Sequence, residues 1–324
     1  MIISVSRRTD IPAFYTNWFL NRLKEGYIYG QNPMNPKQVS KITLSPETVD
    51  CFVFWTKNPK PMLKHLDKLK GYKYYFQFTI TGYNSNVERG IHNKPEIIET
   101  FKELSRKIGS NRIILRYDPI FLSREYTIQY HIRAFQKLCS QLQGYTNRCV
   151  ISFIDLYKKT ERNTKSLNII NMTTDDINQI ASEFSKIAKE HNIKIETCSE
   201  SYDLTKYGIE KGKCIDDKVI SQIIGYEVNV KKDDTQRDVC GCVKSIDIGQ
   251  YNTCMHNCLY CYANFNGKQA LENFKIHDEN YPLLIGKVRE DAKITARPMK
   301  SIIGKKLGRE QLSMLDSLSS NSDS

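Results

Sequence analysis

Short apolar runs alternate with amphipathic stretches along most of the chain. The runs are IISVS at 2–6, CFVFWT at 51–56, YYFQFTIT at 74–81, RIILRYD at 112–118, CVISFID at 149–155 and IKIETCS at 193–199, with a weaker one, KSIDIGQ, at 244–250. Between them, apolar residues recur at helical spacing in the stretches 14–26, 94–109, 127–144 and 173–192. The last opens on Thr173 or Thr174 as a helix N-cap, with two aspartates in the first turn. Regular strand–helix alternation reads as βαβ units around a parallel sheet. Six or seven such units predict an α/β fold, a full or partial parallel (β/α) barrel, with a doubly wound sheet as the alternative. No GxGxxG follows the first run, so the dinucleotide-binding fingerprint is absent.

The ends of the runs are polar. The first leads into Ser6, Arg7, Arg8 and Asp10, and the second into Lys57 and Asn58. The fourth places Arg116 and Asp118 on one face, and the sixth places Lys194, Glu196, Cys198 and Glu200 on one face, by the period of two along a strand. A barrel interior that serves only as core is filled with branched apolar residues. Polar residues at the carboxyl ends of several strands instead predict a functional cavity there.

With 324 residues, the chain has room for a barrel of about 250 residues and an appendage. The expected division is a barrel at 1–235, a cysteine-rich segment at 236–300 that completes it, and a partly disordered, serine-rich tail at 301–324. The opening MIISVSRRTD lacks the pattern of a signal peptide, and no apolar run approaches the ~20 residues of a membrane span. A cytoplasmic protein without membrane association is expected. Cytosolic thiols stay reduced, so ten cysteines point to metal binding or catalysis before disulfides. The net charge of +12 suits a nucleic-acid partner or a lysine-rich surface; no long basic block decides between them.

Cys254, Cys258 and Cys261 are spaced as CMHNCLYC. Thiolates this close converge on one soft centre, zinc or iron–sulfur. A structural zinc takes four ligands in a closed tetrahedron. Three cysteines on one loop suit a cubane with one iron open to another ligand.

The spacing, with aromatic Tyr260 before the last cysteine, resembles the CxxxCxΦC signature of the radical S-adenosylmethionine superfamily. That resemblance implies a [4Fe–4S] cluster on Cys254, Cys258 and Cys261, with the fourth iron chelating S-adenosylmethionine. It also implies an electron donor such as flavodoxin or ferredoxin. The continuation CYANF, holding Asn264, resembles the segment after the motif in spore photoproduct lyase and its relatives. SRRTDIPAFY, FWTKNP, RYDPI, ISFIDLY and DIGQYNTC resemble an uncharacterised bacterial family with the cysteine motif at its C-terminal end.

In the superfamily the motif follows the first barrel strand, whereas here it follows the last. The resemblance therefore implies a circularly permuted barrel in which the strand at 244–250 neighbours IISVS. Ser6, Arg7, Arg8 and Asp10 would then stand near the cofactor, in place of the usual GGE stretch. Tyr260, Asn264, Lys57, Asn58, Arg116, Asp118 and Glu196 complete the expected cofactor-binding set.

Cys198, Cys214, Cys240 and Cys242 form a candidate second site for a [4Fe–4S] cluster or zinc. The expectation supposes that the 244–250 strand lies beside the 193–199 strand and that residues 226–242 fold over the barrel rim. Cys51, Cys139 and Cys149 are read as core residues. His256 is read as an exposed loop residue, with a ligand or a hydrogen-bond donor as the alternatives. The leading function is a radical S-adenosylmethionine enzyme acting on an unknown substrate, with nucleic acid or a nucleotide favoured. The alternative is a non-catalytic iron–sulfur or zinc protein that binds nucleic acid.

Overall fold

Near-continuous apolar runs are stable only where both faces of a strand are covered, as in a parallel sheet. The computed structural model describes residues 1–155, 158–308 and 311, and of 158 and 159 the backbone alone. The runs form one eight-stranded parallel sheet. Its strands are β1 (Ile2–Val5), β2 (Cys51–Thr56), β3 (Tyr74–Thr79), β4 (Ile113–Ile120), β5 (Arg148–Phe153), β6 (Lys194–Cys198), β7 (Glu210–Gly212) and β8 (Ile246–Asp247). The spatial order is β8-β1-β2-β3-β4-β5-β6-β7. The fold is therefore α/β. The last strand lies beside the first, with Ile3 opposite Ile246 and Ser4 opposite Asp247.

One expectation of order is corrected. β8 does not lie beside β6; β7 pairs there instead, with Glu196 opposite Glu210 and Cys198 opposite Gly212. The sequence EKG has no apolar alternation, so nothing marked it as a strand. β7 and β8 are the two edges of the ladder. The segment between them folds back on itself: Val243 N donates to Ile215 O at 3.1 Å, and Lys244 N to Lys231 O at 3.0 Å.

The helices cover one face. The expected amphipathic stretches form helices at Thr16–Glu25, Lys94–Ile108, Ile128–Leu142 and Thr174–Glu190. The last is opened by Thr173, whose hydroxyl accepts from Asp176 N while the Asp176 side chain accepts from Thr173 N. Their apolar stripes meet Phe52, Phe54, Phe76, Phe78, Leu115 and Tyr117 in the main core. Phe19 stands edge-on to Phe52 at 5.4 Å, and Phe135 stacks on Phe184 at 4.0 Å. Cys139 and Cys149 belong to the same core. Each large side chain buried there contributes about 1.5–3 kcal/mol.

On the other face, alternate residues change character along each strand. Ile2, Cys51, Val53, Tyr75, Ile114 and Val150 form an apolar layer with Cys214, Ile215, Val219 and Ile220. Two residues further along the same strands stand Ser4, Trp55, Gln77, Arg116 and Ser152. This face is covered by the segment after β7, including its short helix Asp217–Ile224, and the polar positions gather at the carboxyl ends.

Smaller pieces lie outside the expected pattern. Tyr27–Asn32 and Asn35–Thr43 form an antiparallel pair, joined in parallel by Lys293–Ala296. Among the described residues no helix is long and apolar enough to cross a membrane. The serine-rich stretch 312–324 and Tyr157 of ISFIDLY lie outside the described residues.

Candidate functional site

β8 runs directly into the cysteine loop, and its Asp247 ties that loop to β1. Asp247 Oδ2 accepts from Ser4 Oγ at 2.9 Å and from Arg7 N at 2.8 Å, while Oδ1 accepts from Gly249 N at 3.0 Å and from Ser6 Oγ. The loop is then held from several sides. Tyr15 Oη donates to Thr253 O at 2.7 Å, and Asn264 Nδ2 to Cys254 O at 2.6 Å. Residues 87–90 pair with it edge to edge: Leu259 N donates to Val87 O at 2.9 Å and Gly90 N to His256 O at 2.7 Å. Gly90 is required by this approach. A Cβ there would stand 2.7 Å from His256 Cα and 2.9 Å from the carbonyl oxygens of Met255 and His256.

Beneath the loop sits a buried ion cluster. Glu88 is fully buried and binds Lys57 Nζ at 2.7 Å, Thr81 Oγ1 at 2.8 Å, the Lys94 ammonium and the Tyr260 hydroxyl. Burial alone would raise the Glu88 carboxyl; the two ammoniums outweigh it and hold it well below the usual carboxylate range. Asp10 caps the short helix Ile11–Phe14 through Ala13 N at 3.0 Å and accepts from Lys57 N at 2.6 Å. The same carboxylate lies 2.8 Å from His256 Nε2. His256 is thus a buried part of the site and not an exposed loop residue. Its Nδ1, Thr9 Oγ1 and Asn264 Oδ1 are buried polar atoms without a hydrogen-bond partner.

The thiols of the loop fit a cationic centre. Burial pushes the Cys258 thiol up to about 12 against the pull of Lys57, and burial raises those of Cys254 and Cys261 as well. Such thiols become ligands when a positive centre replaces the proton. The three feel one another's charge; among the described residues no thiol–thiol hydrogen bond joins them.

The residues singled out in the sequence divide into three groups. Ser6, Asp10, Lys57, Tyr260 and Asn264 contact the loop or its support directly. Arg7 and Arg8 flank it: Tyr262 Oη donates to Arg7 O at 2.8 Å, and the Arg8 guanidinium lies 5.1 Å over the Tyr251 ring.

Arg116 and Asp118 form a second group with the other cysteines. Arg116 Nη2 bonds Asp118 Oδ2 at 2.6 Å, and Nη1 donates to Cys214 Sγ at 2.8 Å. Asp118 also accepts from Ser152 Oγ and lies in electrostatic reach of Lys57.

Glu196 and Asn58 stand apart from both groups. Glu196 is locked to Arg148 and Lys194, at 2.5 and 3.2 Å. Asn58 Oδ1 accepts from Lys60 N at the next turn.

Cys198, Cys214, Cys240 and Cys242 are brought together. The sulfurs of Cys198 and Cys214 are 2.8 Å apart, Ile215 N donates to Cys242 Sγ at 3.4 Å, and Cys214, Cys240 and Cys242 lie in one buried cluster with Cys198 packed against it. Residues 226–242 do fold over the carboxyl ends of the strands: Arg7 lies 4.0 Å from Asp233, and Arg237 pairs with Asp155. Among the described residues no group of three or more His, Cys, Asp or Glu side chains stands arranged to hold a metal ion.

Residues 2–263 match the family described as a domain of unknown function, DUF1848. The chain belongs to this family. The DUF1848 match takes in the whole sheet and the cysteine loop. A comparison with curated proteins returned no match. Among solved structures, the chain is similar to an alpha-L-fucosidase candidate from Bacteroides thetaiotaomicron VPI-5482, at 12% identity over 50% of this chain and 68% of that one, with a TM-score of 0.25.

Sequence reasoning missed Glu88, Lys94 and Asp247, and gave His256 too little weight. Asp247 follows an apolar residue at a strand end, as Asp118 does, and could have been found on that ground. Glu88 lies in a loop with no motif of its own.

Proposed function

We propose that this DUF1848 protein is a radical S-adenosylmethionine enzyme in which Cys254, Cys258 and Cys261 hold a [4Fe–4S] cluster. The observation that carries the reading is the loop itself: three thiols within eight residues, spaced CxxxCxΦC, at the carboxyl edge of a parallel α/β sheet. The pairing of β8 with β1 supports a permuted strand order, in which β8 corresponds to the first strand of the usual superfamily barrel.

When bound, such a cluster supplies the electron that cleaves the sulfonium of S-adenosylmethionine and starts radical chemistry on the substrate, the electron coming from a donor such as flavodoxin or ferredoxin. The protein's own part is binding and orientation. Asp10 and residues 87–90 fix the height and tilt of the loop. Lys57 and Lys94 lie beneath it, both paired with Glu88, and Arg7 beside it is paired with Asp247. Arg8, beside the loop and over the Tyr251 ring, is the cation that suits the carboxylate of the cofactor or an anionic substrate. The orphaned His256 Nδ1 and Asn264 Oδ1 are free to meet further polar groups. The net charge of +12 makes a nucleotide or nucleic acid the first substrate class to test.

The decisive experiment is anaerobic reconstitution with iron and sulfide, then dithionite and S-adenosylmethionine. The reading expects about four iron atoms on this site and release of 5′-deoxyadenosine. A colourless protein that takes up no iron would refute it.

A further inference from the structure

We propose that Cys198, Cys214, Cys240 and Cys242 bind a single zinc ion, separate from the cysteine loop, that staples the two edges of the sheet together. The four residues come from three places: the end of β6, the turn after β7, and the approach to β8. They nevertheless gather in one buried cluster beneath the segment between β7 and β8, where the Cys198 and Cys214 sulfurs are 2.8 Å apart.

Compactness decides the kind of centre. Zinc–sulfur bonds of about 2.3 Å put the corners of a tetrahedron about 3.8 Å apart. A cubane holds its thiolates farther apart, because iron and sulfide stand between them. Here the Cys198 and Cys214 sulfurs are 2.8 Å apart, Cys242 Sγ accepts from Ile215 N next to Cys214, and Cys214, Cys240 and Cys242 share one buried cluster with Cys198 packed against it. The Cys198–Cys214 pair is too far apart for a disulfide of about 2.05 Å. The loop cysteines, which resemble cluster ligands, make no such contacts with one another. Protonated thiols pair in chains, S–H to S; a divalent ion displaces those protons and draws the same sulfurs around itself.

The surroundings suit thiolates. Arg116 is buried and donates to Cys214 Sγ at 2.8 Å, and Ile215 N donates to Cys242 Sγ at 3.4 Å. Four thiolates and one zinc carry two negative charges; Arg116 and Arg7 are the cations in reach. Asp118 and Asp247 orient these guanidiniums from their far sides. The staple has a structural task as well. Residues 229–245 contain no helix or strand, and the ion would join that stretch to β6 and to the turn after β7.

The test is elemental analysis of the full chain purified without added metal, as wild type, as C254A/C258A/C261A and as C240S/C242S. About one zinc per chain is expected in the first two and a near-complete loss in the third, as for a four-thiolate site. Alkylation mapping of C254A/C258A/C261A covers the case in which C240S/C242S fails to fold. Cys198, Cys214, Cys240 and Cys242 should be protected together and released together by a chelator. Zinc unchanged in C240S/C242S, iron and sulfide retained in place of zinc in C254A/C258A/C261A, or four freely alkylated thiols would each overturn the proposal. Failure of the cysteine loop to take up iron leaves this zinc count untouched, so the two readings fail separately.

Discussion

Glu88 is the one carboxylate that the two buried ammoniums beneath the cysteine loop share, so E88Q tests how the site is held. The substitution keeps the shape and removes the charge. It leaves Lys57 and Lys94 facing one another across a neutral amide. Stripping one partner from a buried ion pair costs about 3–5 kcal/mol. The Lys57 and Lys94 side chains are 15% and 25% exposed, so water relieves part of this and the lower end, about 3 kcal/mol, applies. At about 2–4 °C per kcal/mol for a chain of this size or a little smaller, the melting temperature should fall by roughly 6 °C or more. Calorimetry measures it, and a double-mutant cycle identifies the cause. K94Q should destabilise the wild type yet restore about 1 kcal/mol to E88Q, because it removes a charge already orphaned. The pH dependence has a fixed sign. A carboxyl held below its unfolded value stabilises fully above about pH 4.5 and loses that contribution as pH falls towards its folded value. The wild-type and E88Q stability curves should therefore converge only in strong acid. An E88Q protein within about 0.5 kcal/mol of wild type, the range of ordinary surface changes, would refute the reasoning.

Three further outcomes are expected. C258A should lose both the iron of the loop and 5′-deoxyadenosine formation, while its melting temperature falls by only a few degrees; turnover retained by C258A would contradict the cluster assignment. G90A should push residues 255 and 256 away from residues 87–90, because all three nearest atoms are backbone; a cost of about 1–3 kcal/mol, as for overpacking, should show in urea unfolding together with weaker iron retention. Burial pulls the His131 imidazole down to about 4, so between pH 6.5 and 4 only the unfolded chain gains the proton and stability falls by about 1.4 kcal/mol per pH unit. H131Q should flatten that slope in urea midpoints taken at pH 7.5 and pH 5, and an unchanged slope would assign it to other groups.

The sheet was legible because its strands are buried on both faces, which writes them as apolar runs flanked by helical periodicity. Six of the eight strands and the four long helices come straight from that pattern, and β8 from its weaker version. β7 escaped because an edge strand of three residues, Glu210–Gly212, lies half in solvent and carries no apolar signal. The pair at 27–43 escaped for a related reason: most of Asn35–Thr43 is exposed, so its sequence is polar.

The candidate site was legible where chemistry fixes spacing along the chain, and illegible where it depends on packing across it. Three cysteines within eight residues announce themselves. A carboxylate such as Glu88, two of whose four partners lie 31 residues before it and 172 after it, does not. The contacts that hold the loop have the same character: Asp247 reaches back 241 residues to Ser6, and His256 reaches back 246 to Asp10. Closing loops of that length costs little more than closing short ones, because the entropy grows only with the logarithm of length. What such contacts demand is that β1 and β8 already lie side by side. The cysteine loop can therefore stand at the far end of the sequence without weakening the site, provided the last strand of the sheet is also the neighbour of the first. Changes that unpair β8 from β1, such as a charge introduced at the buried Ile246, should then release the loop even though they touch none of its cysteines. Melting and iron retention measured together on I246K would show both losses if the pairing holds the loop, and a lower melting temperature with iron retained if the loop is held by residues 87–90 alone.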